Sequence, residues 1–235
     1  MTKPKKIIKK KLKKPDEFIS FTERAFHFIT HHFKSIAVGG GIVLFIILSL
    51  IVYQKWETKN EENASQLFHS IMETYQGVRS PYREGSIQEY KKVIEKLNEV
   101  IDKFPRTPSG RLSLLYKGNL HLRLGEFDEA ITSYETFLQK AGGEKLYLSF
   151  ALEGLGYSYE GKKDYEKAIH AYQKILELGE NFRVSDGHLA LGRCYEKLGK
   201  NKEAVEQYKS FVKIAPKSVM ANAVLRSISN LEKSP

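Results

Sequence analysis

Ser35 to Tyr53 is the stretch that most constrains this chain: nineteen residues, SIAVGGGIVLFIILSLIVY, without a single charge, between Lys34 and Lys55. As an α-helix it measures about 28 Å, close to the hydrocarbon thickness of a bilayer. A helix packed in the core of a water-soluble domain keeps a polar stripe on its outer side, and this stretch has none. Tyr53 and Trp56 stand at its end, where amphipathic rings favour the membrane interface. The 34 residues before it are too many for a cleaved leader, and no small-x-small cleavage site follows. We expect an uncleaved signal anchor that crosses the membrane once. Gly39, Gly40 and Gly41 within it would let another membrane helix approach closely, although glycine is also common in lipid-embedded helices.

Charge sets the expected direction. The chain carries a net charge of +10, but residues 1–34 hold ten Lys/Arg against three Asp/Glu, and residues 3–14 alone hold eight lysines. The flank after the span, with Lys55, Glu57, Lys59, Glu61 and Glu62, is nearly balanced. The positive-inside rule puts the tail in the cytoplasm and the remainder across the membrane, in a two-membrane bacterium the periplasm. The lysines would also hold the tail to anionic lipid. Because the basic excess belongs to the tail, no nucleic acid is expected to bind the domain beyond the span. Residues 16–34, rich in Phe, suit a helix lying at the interface. His27 and His31 in it have an i, i+4 spacing, but no carboxylate or cysteine nearby completes a metal set.

The rest of the chain repeats itself. Leu155-Gly156-x-x-Tyr159 is followed by Ala168-x-x-x-Tyr172, and Leu191-Gly192-x-x-Tyr195 by Ala204-x-x-x-Tyr208 and Pro216. Gly118 is followed by Ala130-x-x-x-Tyr134. In each unit the glycine precedes the alanine by twelve residues, and the tyrosine follows the alanine by four. This pattern resembles the tetratricopeptide repeat, a pair of antiparallel helices that buries its apolar face only by stacking on neighbours. It departs from that pattern at Leu114, Leu152 and His188, where tryptophan is usual, and at Lys117 and His121 in the first unit. The expected fold class is all-α: one transmembrane helix followed by a tetratricopeptide-repeat α-solenoid.

The expected division is a basic tail over 1–34, the span over 35–53, a linker over 54–61 and a degenerate first repeat over 62–108. Three repeats follow over 111–144, 149–182 and 185–217, with a capping helix over 218–231. Within the degenerate repeat a loop at Arg79–Gly85 precedes Ser86, which with Glu89 forms a capping-box pattern. Each repeat glycine (Gly118, Gly156, Gly192) is expected to lie against the repeat alanine (Ala130, Ala168, Ala204), with Tyr134, Tyr172 and Tyr208 filling the space between units. Gly125 and Gly199 suit left-handed ends of first helices.

The resemblance implies a concave groove lined by the first helices. Its residues would be Leu112, Leu115, Asn119 and Leu122, then Phe150, Glu153, Tyr157 and Glu160, then Asp186, Leu189, Arg193 and Glu196. Proteins or extended peptides are the implied occupants. Capture of a C-terminal carboxylate needs convergent cations, and Leu115 and Asp186 stand where those would be. No phosphate-binding loop, dinucleotide fingerprint, zinc-protease motif or nucleophile elbow is present. We therefore expect no enzymatic activity, catalytic residue, metal or cofactor, and we expect the lone Cys194 to be a buried, inert thiol.

The order of parts is similar to one family in particular. A basic tail, a Phe-rich helix, Phe33-Lys34-x-Ile36-Ala37-Val38-Gly39 entering a single span, Tyr53-x-x-Trp56 and a small repeat domain resemble the ancillary subunit of the bacterial Sec translocon. That resemblance implies an inner-membrane protein with its repeats in the periplasm, and translocon subunits and periplasmic chaperones as partners. The alternative is a structural scaffold for envelope assembly or cell division with the same anchor. A third possibility, an enzyme accessory that uses repeats to capture a substrate, lacks the catalytic constellation it would need.

Overall fold

The computed structural model of the chain describes residues 17–78, 86–140, 142–179 and 183–233. The lysine tail and the expected loop at Arg79–Gly85 lie outside them. The chain divides into two compact units, Met1–Trp56 and Glu57–Pro235.

In the first unit α1 covers Glu17–His31 and α2 starts at Phe33. His32 links the two: its N–H donates to Phe28 O at 3.0 Å, and its carbonyl accepts from Ile36 N at 3.0 Å. The stretch from Ser35 to Tyr53 is helical and exposed throughout, with Phe45 71% and Val52 67% exposed. It is long and apolar enough to cross a membrane. Among the described residues, nothing beyond their own helix stands within 4 Å of a methyl added at Gly39, Gly40 or Gly41.

The second unit contains the rest of α2, which ends at Val78, and eight further helices among the described residues. These are α3 (Ile87–Lys103), α4 (Pro108–Leu124), α5 (Phe127–Lys140), α6 (Lys145–Gly161), α7 (Tyr165–Glu177), α8 (Val184–Lys197), α9 (Asn201–Ile214) and α10 (Ala221–Lys233). The expected linker at 54–61 is helical, inside the 46 residues of α2. The reason is local: those residues include no glycine or proline, so nothing halts a helix already under way. The apolar periodicity then resumes at Ala64, Leu67, Phe68, Ile71, Met72 and Tyr75, which face inward in whole or part.

The caps follow the residue types. Ser86 and Glu89 close a reciprocal box on α3: Ser86 Oγ accepts from Glu89 N at 3.3 Å, and Glu89 Oε2 accepts from Ser86 N at 2.8 Å. Thr107 accepts from Gly110 N at 3.0 Å and opens α4, with Pro108 in the first turn. Glu61, far back on α2, accepts from Ser109 Oγ at 2.7 Å and from Ser109 N at 3.3 Å. It thereby places a carboxylate at the positive end of the α4 dipole. Gly125 (φ 75°) and Gly199 (φ 70°) close α4 and follow α8 in the left-handed region. In the unit between them the equivalent residue is Lys163, also left-handed at φ 61°.

Apolar burial passes along the unit from helix to helix. Ile71 of α2 lies with Tyr90, Val93, Leu97 and Val100 of α3 and Leu120 of α4. Leu114, Leu115, Ala130, Tyr134 and Phe137 join α4 and α5 to Ala151 and Leu155 of α6. Leu152, Ala168, Tyr172 and Ile175 then meet Leu191 and Cys194 of α8, and α10 covers α9 through Val224 and Ile228. Each helix pair covers the open face of the one before it, as stacked repeats require.

The three repeat alanines are completely buried, but the side chain standing nearest each repeat glycine is the tyrosine, not the alanine. A methyl group added at Gly118 would lie 2.7 Å from the Tyr134 ring; at Gly156 and Gly192 it would lie 2.4 Å from Tyr172 and Tyr208. The ring lies across the glycine of its own repeat, an aromatic plate on bare backbone. Tyr134 also faces Gly154 of the next unit, where an added methyl would come within 2.3 Å.

Candidate functional site: an aromatic hollow on the first helices

An open hollow of about 310 Å³ lies against α2, α4, α5 and α6, and it is lined by Tyr75, Tyr116, Tyr147, Phe150, Glu153 and Tyr157 together with Leu115, Asn119, Leu122, Tyr134 and Gly154. Six of the expected groove residues therefore share one cavity: Leu115, Asn119, Leu122, Phe150, Glu153 and Tyr157. Their helical spacing explains this, because residues three and four apart share a face. Gly154 leaves the floor low where Tyr134 comes beneath it.

The ring walls are ordered by edge-to-face contacts. Tyr116 meets Phe68 at 5.5 Å and Tyr75 at 6.4 Å between centroids, with interplanar angles of 70° and 84°. Tyr157, 41% exposed, meets Tyr172 edge-on at 6.0 Å. Such contacts let the rim rings keep one face open while fixing their orientation.

Charge enters at one end. Glu153 accepts from Arg183 Nη2 at 2.8 Å, and Arg183 also holds Asp186 at 2.9 Å. The Arg183 guanidinium lies 5.2 Å from the centre of the Phe150 ring. Burial raises the Glu153 carboxyl above its ordinary range, and Arg183 opposes that shift. The backbone of Arg183 is left-handed (φ 52°), an uncommon conformation for a residue with a side chain.

Glu160 and Arg193 form the neighbouring set. Arg193 donates from Nε at 3.0 Å and Nη2 at 2.7 Å to the two oxygens of Glu160, and its guanidinium lies 5.5 Å from the centre of the Tyr157 ring. Hydrogen bonding to Glu160 holds the Arg193 pKa high. Glu160 also accepts from the Tyr172 hydroxyl at 2.6 Å, as Glu196 does from Tyr208 at 2.6 Å. In the first repeat the matching position is Leu122, which cannot accept, and the Tyr134 hydroxyl turns instead to Asn119 Oδ1 at 2.7 Å. Burial is the first cause of the raised pKa of all three tyrosines.

The remaining expected groove residues lie elsewhere. Leu112 lines a separate hollow of about 320 Å³ with Pro108, Arg111 and Phe137, and Leu189 packs against the cluster of α9 and α10. Asp186 reaches the hollow only through Arg183. Four aromatic or basic contributors were missed by the repeat pattern: Tyr75, Tyr116, Tyr147 and Arg183. Tyr116 stands two residues before the repeat glycine, on the same helix as Asn119, and that spacing was its only signal. Cys194 is completely buried, and burial pushes its thiol up to about 12. Among the described residues no cluster of three or more metal-ligating side chains occurs.

Comparison with known proteins bears on the repeat fold. The sequence profile of the Tetratricopeptide repeat-like domain matches residues 27–227. No curated protein matches the chain in sequence. Among solved structures, the crystal structure of the MamA protein superposes with a TM-score of 0.57 at 20% identity, over 72% of this chain and 82% of that one. A tetratricopeptide repeat protein from Parabacteroides merdae ATCC 43184 gives 0.57 at 22% identity, over 71% of this chain and 60% of that one. At these identities the likeness is one of fold.

Proposed function

The chain belongs to the tetratricopeptide repeat-like family, and from that premise we propose that the hollow is the contact face of a membrane-anchored protein-binding module. Repeats of this kind serve protein–protein interaction. The observation that carries the reading is the hollow itself, where six of the family's groove positions converge with aromatic walls. Aromatic rings give large contact area at low conformational cost, which suits an interaction face. The module performs no catalysis in this reading.

The anchor is the stretch Ser35–Tyr53. Nineteen uncharged residues, fourteen of them apolar, left exposed along a helix would be unfavourable in water, and lipid would cover them. The charge bias before the span directs the tail to the cytoplasm and the repeats to the periplasm of the inner membrane. The resemblance in order of parts supports a role as an accessory of the Sec translocon that receives emerging chains or recruits chaperones. Its competitor is a scaffold for envelope assembly or cell division.

Photocrosslinking from Tyr157, in cells making labelled secretory proteins, tests this. Adducts with translocon subunits, chaperones or nascent chains are expected. Adducts confined to cell-wall or division proteins would replace the translocon reading by the scaffold, and adducts with cytosolic proteins alone would reverse the topology.

A further inference from the structure

The hollow is selective in its charge. Among the residues that line it, Glu153 is the one formally charged side chain, and none is Lys, Arg or His. Glu153 is 17% exposed at its side chain, and the cation that serves it, Arg183, is divided between Glu153 at 2.8 Å and Asp186 at 2.9 Å. Two carboxylates thus share one guanidinium, while the nearby Arg193 is committed to Glu160, so three carboxylates stand against two guanidiniums at this end of the hollow. The walls are the rings of Tyr75, Tyr116, Tyr147, Phe150 and Tyr157, whose faces are electron-rich. Carboxylate and ring faces favour the same kind of guest, a cation on an apolar stem. Arg183 above Phe150 and Arg193 above Tyr157 already display that chemistry at the edge of the site.

We infer that the hollow accepts a lysine or arginine side chain of an extended peptide, seated between Tyr147, Phe150 and Tyr157 with its charge directed at Glu153. The inference rests on the reading of this face as the contact surface and adds the chemistry of the occupant. An acidic peptide meets no cation in the lining, and a purely apolar one leaves the excess negative charge unanswered. A volume of about 310 Å³ admits one long side chain with its adjoining backbone, not a folded domain.

The test uses the full-length protein in lipid nanodiscs and fluorescein-labelled Gly/Ser/Leu peptides that differ only in a central lysine, acetyl-lysine, norleucine or glutamate. Anisotropy titration should show the lysine peptide binding about tenfold more tightly than the acetyl-lysine peptide, with the difference erased in Glu153→Gln. Equal binding of the two, tightest binding of the glutamate peptide, or a preference that survives Glu153→Gln would overturn the inference. Should Glu153→Gln melt far below the parent, Tyr157→Leu, which leaves the Glu153–Arg183 pair in place, decides: the lysine preference must shrink. Peptides that bind without regard to charge would remove the cation site and keep the contact face, whereas failure of every peptide to bind would remove both.

Discussion

Arg193 of α8 grips both oxygens of Glu160 on α6, from Nε at 3.0 Å and Nη2 at 2.7 Å, so that the last repeat is fastened to the one before it by a forked charge-assisted pair. Glu160 takes the Tyr172 hydroxyl at the same time. One carboxylate therefore answers to a cation from the following repeat and a phenol from its own.

Removing the fork should loosen the interface between those repeats. Arg193→Ala is expected to cost about 1–2 kcal/mol, above the value of an ordinary surface pair because the geometry is bidentate and part-buried. Arg193→Lys keeps the charge and loses the fork, and should recover only part of that. A double-mutant cycle with Glu160→Gln, read by chemical denaturation of the full chain in detergent, should return a coupling of about 1 kcal/mol. No coupling would mean that the pair contributes nothing to the interface.

The buried tyrosines make stability sensitive to alkali. Tyr134, Tyr172 and Tyr208 have pKa values raised above the ordinary 10.0, with burial the first cause. Raised values mean that the folded state keeps protons which the unfolded state releases. Their contribution is complete below about pH 10 and declines above it, by about 1.4 kcal/mol per pH unit for each tyrosine. Denaturation curves taken from about pH 9 to pH 11 should show Tyr172→Phe declining less steeply than the parent by about one proton. Lysine deprotonation affects both proteins alike and cancels in the comparison. Identical slopes would refute the assignment.

Glycine at the ring contact is required by space. Gly156→Ala should cost about 1–3 kcal/mol through overpacking, because its methyl would stand 2.4 Å from the Tyr172 ring. Gly142→Ala, with nothing within 4 Å of the added carbon, serves as the control and should melt as the parent does. Equal melting temperatures for the two variants would show that Tyr172 moves aside without loss.

Lys163 occupies the left-handed position that Gly125 and Gly199 fill in the other repeats. Lys163→Gly should therefore raise stability, by up to about 1 kcal/mol, since the strain of a side chain in that region exceeds the entropy that glycine gives back. Gly125→Ala should do the reverse. The midpoint of a urea titration distinguishes the two outcomes, and a lower midpoint for Lys163→Gly would contradict the strain argument.

The repeat helices were legible because their signals are local. The glycine–alanine–tyrosine register locates two helices and their turn in each unit, and Ser86 with Glu89 announces the start of α3 by chemistry confined to four residues. What touches what was harder to read. For Gly156 and Ala168 the pattern records only that both are small; it does not say that the wide ring of Tyr172 stands nearest the glycine. Glu160 and Glu196, expected at the groove, also receive a tyrosine hydroxyl each, a partnership twelve residues away that no periodicity encodes. The hollow draws Tyr75 from the degenerate repeat, where the repeat pattern is absent. Arg183 precedes α8 and lies outside the positions that the family geometry assigns to the groove. The linker at 54–61 is helical for the opposite reason: its polar residues carry no apolar periodicity to announce a helix, yet nothing in them breaks one.

Tyr134 rests on Gly118 beneath it and on Gly154 beyond it, and only the second repeat offers a glycine at that second place. The matching residue is Tyr116 in the first repeat and Ala190 in the third. The units are therefore not interchangeable bricks. A chain rearranged so that the third repeat followed the first would bring the Ala190 methyl toward the end of the Tyr134 ring, where 2.3 Å is available at Gly154. The order of the repeats is written into their smallest side chains, and duplication or shuffling of units in this lineage would have to carry the glycine and its tyrosine together.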